Sequence, residues 1–529
     1  MKGAPNRYAT RCGACRDLVA AGDGVLTGPP WRVECHRCRV ARLRELLEHA
    51  EAETALAPPA GIELVNAALG ERGHALRPYQ LEGARWLASR RRALLADDQG
   101  LGKTVQVLAA LPRDARVVVV APAVARGVWY EHAERLRPDL CTISLEGRDD
   151  WHHWRPGDFA CVSWACLPKR FGVFHNTMAR IRGRGTSAAD ARQAARDKLE
   201  AEVGALPEFV IYDEAHYAKN AKSLRTRRAR GLTSAVRVAW GLTGTPLKNL
   251  PPDLHSVLQA LELDRDTWPS FAGFARAFGA RKAPFGTVWT GPRSPKIPGI
   301  LRRVMLRRLK SDVLAELPAK SYETIPVELD AATAKACDEA AAALRAEGVE
   351  LADMTEEALR AASGAGFEQL ATAAKALAIA KVPAVLDLLD MWELDTREPR
   401  IVWSRHVAPL RAIGEREGWQ VITGATNDKR RREYVEAFQA GELRGLALSI
   451  GAAATAITLT AGSHAIYLDR AWSPSDNAQS EDRIHRIGQR RACRYTLLVA
   501  DHEIDRALER LLFSKAQTIT ETVDAASVD

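Results

Sequence analysis

The sequence predicts an α/β protein built from two parallel-sheet domains with helical insertions, behind a small N-terminal module held by cysteines. Two CxxC pairs lie near the N-terminus, and two series of short, wholly apolar runs flank a long Ala- and Glu-rich helical stretch. Strands buried on both faces read as continuous apolar runs, which is the pattern of a parallel sheet covered by helices. At 529 residues the chain exceeds one hydrophobic core. Its 47% hydrophobic and 27% charged content is that of a globular protein, not a disordered one.

Cys12-Gly-Ala-Cys15 and Cys35-His-Arg-Cys38 are separated by nineteen residues, a spacing that suits four thiolates around one zinc ion. Residues 1–45 are assigned to this zinc-binding module. It is too small to fold alone, and metal binding contributes roughly 10–16 kcal/mol in comparable peptides. Four protein ligands leave no open coordination position, so the zinc is structural. His36 lies inside the second knuckle and reads as a surface residue. Arg39 to Leu56 reads as a polar helix and Ala57-Pro58-Pro59-Ala60-Gly61 as a linker, which together assign residues 46–70. The other cysteines, Cys141, Cys161, Cys166, Cys337 and Cys493, are dispersed and odd in number. They read as reduced, buried, small apolar side chains.

The first α/β domain is placed at 71–260, with strands at Ala93–Ala96, Arg116–Ala121, Phe159–Val162, Phe209–Tyr212 and Ala235–Trp240. A basic, Ala-rich and helical insertion interrupts it at 169–205. Residues 261–395 are read as helical insertions and linker, including a Pro- and Gly-rich loop at 281–299 and helix from about 330. The second α/β domain, 396–512, has strands at Arg400–Ser404, Gln420–Ile422, Gly445–Ser449, His464–Leu468 and Tyr495–Val499. The acidic, small-residue tail, 513–529, is expected to fray after about 515.

Asp97-Asp-Gln-Gly-Leu-Gly-Lys-Thr104 follows the first strand and precedes a helical pattern. Gly100 and Gly102 allow a tight turn, and Lys103 and Thr104 open the helix, whose free N–H groups attract phosphate. A nucleoside triphosphate is the expected ligand. Asp97 stands where the pattern GxxxxGK[ST] has its first glycine. About 110 residues on, Val210-Ile-Tyr212 ends in Asp213-Glu-Ala-His216, two carboxylates at the carboxyl end of a buried strand. A parallel sheet presents its ligands at that edge. Phosphoanhydride hydrolysis needs one carboxylate to hold Mg²⁺, assigned to Asp213 with Thr104, and another to orient water, assigned to Glu214. Gln80, in Leu76-Arg-Pro-Tyr-Gln80, offers an amide donor and acceptor that suit an adenine edge. The hydroxyls of Gly241-Leu-Thr-Gly-Thr-Pro246 follow another strand. Gln479, Arg483 and Arg486, spaced four and three apart, are expected on one helical face, the two arginines suited to stabilising a γ-phosphate from the second domain.

The ordered set LRPYQLEGARWL, ADDQGLGKT, VVVVAP, YDEAH, LTGTPLKN, MLRRLKSDVLAELPAK and DRIHRIGQ resembles an SNF2-type ATPase of helicase superfamily 2, from Leu76 to about Val499. The block at Met305–Lys320 resembles in particular the annealing-helicase, HepA-related branch. The resemblance implies two RecA-like lobes, ATP and Mg²⁺ as ligands, and ATP-driven movement on duplex or branched DNA. It implies that Lys103 and Thr104 hold phosphates and Mg²⁺, that Gln80 reads adenine, and that Arg483 and Arg486 complete the site, with Gln479 at the γ-phosphate or its water. Two positions depart from the family. Gln99 stands where methionine is frequent. Ser449-Ile-Gly-Ala-Ala-Ala-Thr-Ala456 carries alanines where the family has glycines, so this loop is expected to be stiffer or differently shaped.

The formal net charge of +9 favours a polyanionic partner. DNA is expected to be held mainly through its phosphates, with a protein partner possible at the zinc module. No apolar run reaches the roughly 18–20 residues needed to cross a bilayer, and a monomer is expected. The Ala- and Arg-rich usage favours a bacterial or phage-infected cytoplasm over a eukaryotic nucleus. The leading reading is a DNA-dependent ATPase that translocates on, remodels or reanneals DNA. The alternatives are a strand-separating DNA or RNA helicase and a DNA-binding scaffold with a decayed ATPase.

Overall fold

In the computed structural model, the described residues are 10–11, 18–19, 24–27, 32–35 and 60–527, apart from 146–150, 152–153, 184–185, 269, 284–285, 353, 356–358, 360–363 and 455–456. The N-terminal unit shows two antiparallel ribbons. One pairs β1 (Thr10–Arg11) with β2 (Leu18–Val19), and the other pairs β3 (Gly24–Thr27) with β4 (Arg32–Cys35). Cys12, Cys15 and Cys38 lie outside the described residues, as does the Cys35 side chain, and so does the zinc assignment that rests on them.

The first lobe is a seven-stranded parallel sheet. Its strands are β5 (Arg92–Leu95), β6 (Val117–Ala121), β7 (Cys141–Ile143), β8 (Asp158–Ser163), β9 (Phe209–Asp213) and β10 (Val238–Leu242). β11 (Ala280–Ala283) and β12 (Gly286–Trp289) pair as an antiparallel hairpin, in place of the loop expected at 281–299. β13 (Met305–Leu306) then returns to the sheet edge beside β5, giving the order β13-β5-β10-β9-β6-β8-β7. β6 and β10 are buried at every residue, as an all-apolar central strand requires.

The second lobe is a six-stranded parallel sheet of order β14-β19-β18-β15-β17-β16. β14 (Lys320–Val327) comes from the stretch expected to be helix and linker, and β15 (Arg400–Ser404), β16 (Trp419–Ile422), β17 (Gly445–Ser449), β18 (His464–Tyr467) and β19 (Cys493–Ala500) complete it. The helices Ala331–Ala346 and Gly364–Ala380 share an apolar cluster with Ile504, Ala507 and Leu511 of the last helix, Glu503–Thr522. That helix replaces the frayed tail expected after 515, because Val523 and Ala526 beyond it are completely buried.

The helix Gly61–Gly70 packs against the helices Lys103–Ala110 and Arg126–Leu136. A Cβ on Gly61 would fall 2.6 Å from the carbonyl oxygens of Leu108 and Leu111, so glycine is required there. Of the five dispersed cysteines, Cys161, Cys337 and Cys493 are buried as expected, Cys166 is half-buried, and Cys141 is exposed on an edge strand. Among the described residues, no helix is long and apolar enough to cross a membrane.

Candidate functional site

Leu95, Leu242 and Asp213 stand side by side in the register of β5, β10 and β9. The phosphate loop, the Asp213-Glu214 pair and the Thr243-Gly-Thr245 turn therefore leave the sheet at one level. The Thr243 N–H donates to Leu95 O at 3.1 Å, which ties the first and third of these together.

The phosphate loop turns on Gly100 (φ +82°) and Gly102 (φ +72°), a backbone region open to glycine at no steric cost. A Cβ on Gly102 would lie 2.4 Å from Gln80 Nε2. Gln80 itself accepts from the Arg77 N–H (3.0 Å) and donates to Leu101 O (3.4 Å), so this amide braces the loop from behind. Lys103 Nζ donates to Asp97 O (2.7 Å) and Asp98 O (3.0 Å), across the turn. Burial lowers its pKa against the opposing pull of Glu214, Asp97 and Asp98. Thr104 is the second residue of the helix and half-buried.

Asp97 does not face the loop's concave side. Its fully buried carboxylate receives Arg308 Nε at 3.0 Å and Nη2 at 2.6 Å, and the Gln106 amide at 3.0 Å. Arg308 also donates to Gln106 Oε1 (2.9 Å), to Glu82 Oε2 (3.2 Å) and to Tyr79 O, so all five of its N–H groups have acceptors. Gly83 is needed beside this network, since a Cβ there would sit 1.8 Å from Gln106 Oε1. The missing first glycine is thus an anchor: the loop is held by a buried bidentate ion pair to the Met305–Lys320 block.

Asp213 Oδ2 accepts from Trp129 Nε1 (2.8 Å) and Oδ1 from the Glu214 N–H (3.0 Å). Burial and the neighbouring Glu214 push the Asp213 pKa up to about 6. Burial opposes ionisation of Glu214 too, but His216, Lys103 and Arg483 outweigh it and hold that carboxyl well below the usual range. Glu214 has φ +49°, a strained conformation for a residue with a Cβ, of the kind that collects at functional sites. His216 Nδ1 lies 3.2 Å from Glu214 Oε2, 3.2 Å from Thr243 Oγ1 and 3.3 Å from Thr245 Oγ1. One imidazole therefore joins the acidic pair to the Thr-Gly-Thr turn.

The expectation of a single helical face for Gln479, Arg483 and Arg486 is corrected by the structure. The helix Pro474–Glu481 ends before the arginines, which occupy the irregular turns that follow. Arg483 O is taken by the Leu459 N–H (2.9 Å), and the buried Gln489 amide bonds to the carbonyls of Thr460 and Gly462, so tertiary bonds replace the next helical turn. Arg483 is buried and its pKa is lowered to about 10 by burial and by Arg486, against the attraction of Asp482 and Glu214. Arg486 donates to Ile457 O (3.2 Å), and its Cβ lies 3.8 Å from where a Cβ on Gly100 would be. Both arginines thus reach the first lobe's site, and Gln479, on the helix before them, is half-buried. Lys310 holds the arrangement: Nζ meets Asp482 Oδ1 (2.6 Å) and His485 O (2.8 Å), and its N–H donates to Asp98 Oδ2 (3.1 Å).

The site fits a triphosphate with Mg²⁺. Arg483 Nε is buried without a hydrogen-bond partner, Glu214 Oε2 is buried with only the His216 imidazole beside it at 3.2 Å, and the two positive-φ glycines keep the turn free of side chains of their own, with Lys310 and Arg486 bordering it at Gly100. Thr104 and Asp213 are the residues that would hold the cation. Sequence reasoning left Trp129, His216, Arg307, Arg308 and Lys310 without roles. The last three stood in a recognised block, yet their partners lie some 200 residues away in the chain. The loop Ile450–Ala454 is a 3-10 turn with Ala452 buried, and neither Gly451 nor Ala452 takes positive φ, the conformation in which alanine would be strained. Thr455 and Ala456 lie outside the described residues.

Residues 380–488 match the helicase conserved C-terminal domain. The SWI/SNF-related matrix-associated actin-dependent regulator of chromatin subfamily A-like protein 1 of Xenopus tropicalis is 28% identical over 487 residues, covering 87% of this chain and 46% of that protein. Human DNA annealing helicase and endonuclease ZRANB3 is 27% identical over 469 residues, covering 85% of this chain and 40% of that protein. The putative ATP-dependent helicase/translocase YwqA of Bacillus subtilis is 26% identical over 485 residues, covering 85% and 48%. The chain therefore spans less than half the length of each of these relatives. Residues 79–372, more than half of the chain, match the SNF2-related domain, and the chain belongs to that family.

Proposed function

We propose that this protein is a DNA-dependent ATPase that translocates on and remodels duplex or branched DNA, with strand annealing among its activities. The observation that carries the reading is the meeting, across two lobes, of Lys103 and Glu214 with Arg483 and Arg486. Family membership and the names of the relatives support DNA as the polymer.

Glu214, ionised at neutral pH, orients and deprotonates the attacking water. Lys103, Gly100 and Gly102 seat the β- and γ-phosphates. Mg²⁺ bound by Thr104 and Asp213 supplies charge neutralisation at the phosphates. Arg483 and Arg486 add donors to the γ-phosphate only when the second lobe is closed on the first, which makes hydrolysis conditional on lobe position. His216 passes that condition between Glu214 and the Thr243-Gly-Thr245 turn. Gln80 acts through its hold on the loop and presents its amide toward adenine. Gln479 serves the γ-phosphate or its water.

Cys12, Cys15, Cys35 and Cys38 hold structural zinc in a module that contacts DNA or a protein partner. The short strands flanking the first knuckle in sequence, and the strand that ends at Cys35, support this assignment. The protein acts as a monomer in the compartment where it is made. The experiment that tests the central reading is ATP turnover against single-stranded, duplex, forked and RNA substrates, for the parent and Lys103→Ala. Duplex or forked DNA is expected to stimulate the parent. Turnover indifferent to DNA, or Lys103→Ala equal to the parent, overturns the reading.

A further inference from the structure

Arg307 is the other arginine of the Met305–Lys320 block, and like Arg308 it is buried among acceptors. Nη1 donates to Ala96 O (2.7 Å) and Gly244 O (3.1 Å). Nη2 meets Asp98 Oδ1 at 2.8 Å and Asp524 Oδ1 at 2.8 Å, and Nε donates to Asp524 Oδ1 at 3.2 Å. Two of its N–H groups thus hold the start of the phosphate loop and the Thr-Gly-Thr turn, its charge pairs with Asp98, and two N–H groups depend on a residue more than 200 positions further along the chain. The side chain is 6% exposed, so acceptors lost there are not replaced by bulk water.

Asp524 is delivered by a helix that starts in the other lobe. Glu503–Thr522 begins against the second lobe's apolar cluster, through Ile504, Ala507 and Leu511. It ends with Val523 and Ala526 inside the first lobe's core, alongside Ile297, Leu301 and Met305, and Arg302 Nη2 donates to Ala525 O at 3.0 Å. Between these two anchorages the helix borders a cavity of about 780 Å³, lined also by Asp98, Arg307, Lys310 and Phe513. Phe513 is 71% exposed, while Leu511, Leu512 and Lys515 on the other face are buried. The distal anchorage is made by Ile519, Val523 and Ala526 in the first lobe's core.

We propose that Asp524 is a positioning residue for nucleotide binding: through Arg307 it sets the phosphate loop from which Lys103 reaches its ligand. The chain of contacts is short. Asp524 orients the Arg307 guanidinium, Arg307 holds Ala96 O and the Asp98 carboxylate, and the carbonyls of Asp97 and Asp98 hold Lys103 Nζ. Because the helix bearing Asp524 begins in the second lobe, displacement of that lobe pulls on this contact, and nucleotide affinity becomes sensitive to lobe position. The inference rests on the phosphate-loop reading given above.

The test uses the full-length protein, with a fluorescent ATP analogue and Mg²⁺ to measure binding, a duplex DNA to measure DNA affinity, and thermal unfolding. Asp524→Ala is expected to weaken analogue binding about fivefold to tenfold, the effect of losing charge-assisted hydrogen bonds to a buried group. DNA affinity stays within about twofold, and Asp524→Glu, which restores the carboxylate, recovers most of the loss. Asp524→Ala binding the analogue as the parent does would overturn the proposal. So would a loss of analogue and DNA binding in equal proportion with lowered thermal stability, or failure of Asp524→Glu to recover. A parent that binds no analogue sinks the phosphate-loop reading itself, and this proposal with it.

Discussion

Arg308→Ala tests whether the phosphate loop is anchored by the ion pair to Asp97. The substitution removes both guanidinium bonds to a carboxylate that is 0% exposed, leaving Asp97 with the Gln106 amide alone. It also strands Gln106 Oε1 and leaves Tyr79 O with only its helical partner. Removing one member of a buried pair costs about 3–5 kcal/mol, because the remaining charge is left uncompensated. In a lobe of this size that corresponds to a fall of roughly 10 °C in the unfolding temperature. Replacing both partners, as in Arg308→Met with Asp97→Ala, should recover most of the loss, since a buried pair exchanged for apolar groups of similar volume is about neutral. The assay is a double-mutant cycle of urea unfolding, followed by tryptophan fluorescence and by retention of nucleotide binding. Arg308→Ala within about 1 kcal/mol of the parent, or a double variant no better than the single one, refutes the anchor, because a buried unpaired carboxylate cannot be that cheap.

Lys103→Ala should lower ATP turnover by about a hundredfold or more while DNA affinity changes little, measured by steady-state kinetics and by fluorescence anisotropy. Asp213 has a folded pKa raised from the ordinary 3.8 to about 6, so its contribution to stability is full below 3.8 and lost as pH rises through about 6. Without nucleotide, Asp213→Asn should therefore melt higher than the parent above pH 6, the gap narrowing toward pH 4, and equal melting curves at both ends would count against this. His216→Ala removes the first group that holds Glu214 ionised against burial, so the acidic limb of kcat/KM should move to higher pH, and an unmoved limb would assign the pull to Lys103 and Arg483 instead. Elemental analysis should find about one zinc per chain in the parent, lost in Cys15→Ser.

Most of the strands that were legible in the sequence are those buried on both faces, with β16 and β19, partly exposed, also found from their apolar residues. β6, β9 and β10 in the first lobe and β15, β17 and β18 in the second are apolar runs, and each appears within a few residues of its expected place. β14 was not legible because it is an edge strand whose residues alternate between exposed and half-buried, and Lys320-Ser-Tyr-Glu-Thr reads as polar coil without its neighbour β19. β13 is two residues long, and only its pairing to β5 identifies it. The site divides in the same way. Lys103, Asp213 and Glu214 were legible because each follows a buried strand in a local pattern. Asp97 was given no role because its partner is 211 positions away, beyond any local pattern. The arginine turns were read as helix from a spacing of four and three, but spacing is silent about the Leu459 N–H that takes the Arg483 carbonyl and ends the helix.

The chain passes between the lobes twice: forward through Arg307–Ala319, from β13 to β14, and back along Glu503–Thr522 to Val523 and Ala526. A body joined to another at two separate points keeps one easy freedom, rotation about the line through both attachments, while sliding and twisting about other axes stretch at least one of them. The lobes are therefore hung like a door on a pair of hinges. Whatever stroke the proposed motor delivers to its polymer is then an angle multiplied by a lever arm, and its length is set by how far from the hinge line the polymer lies.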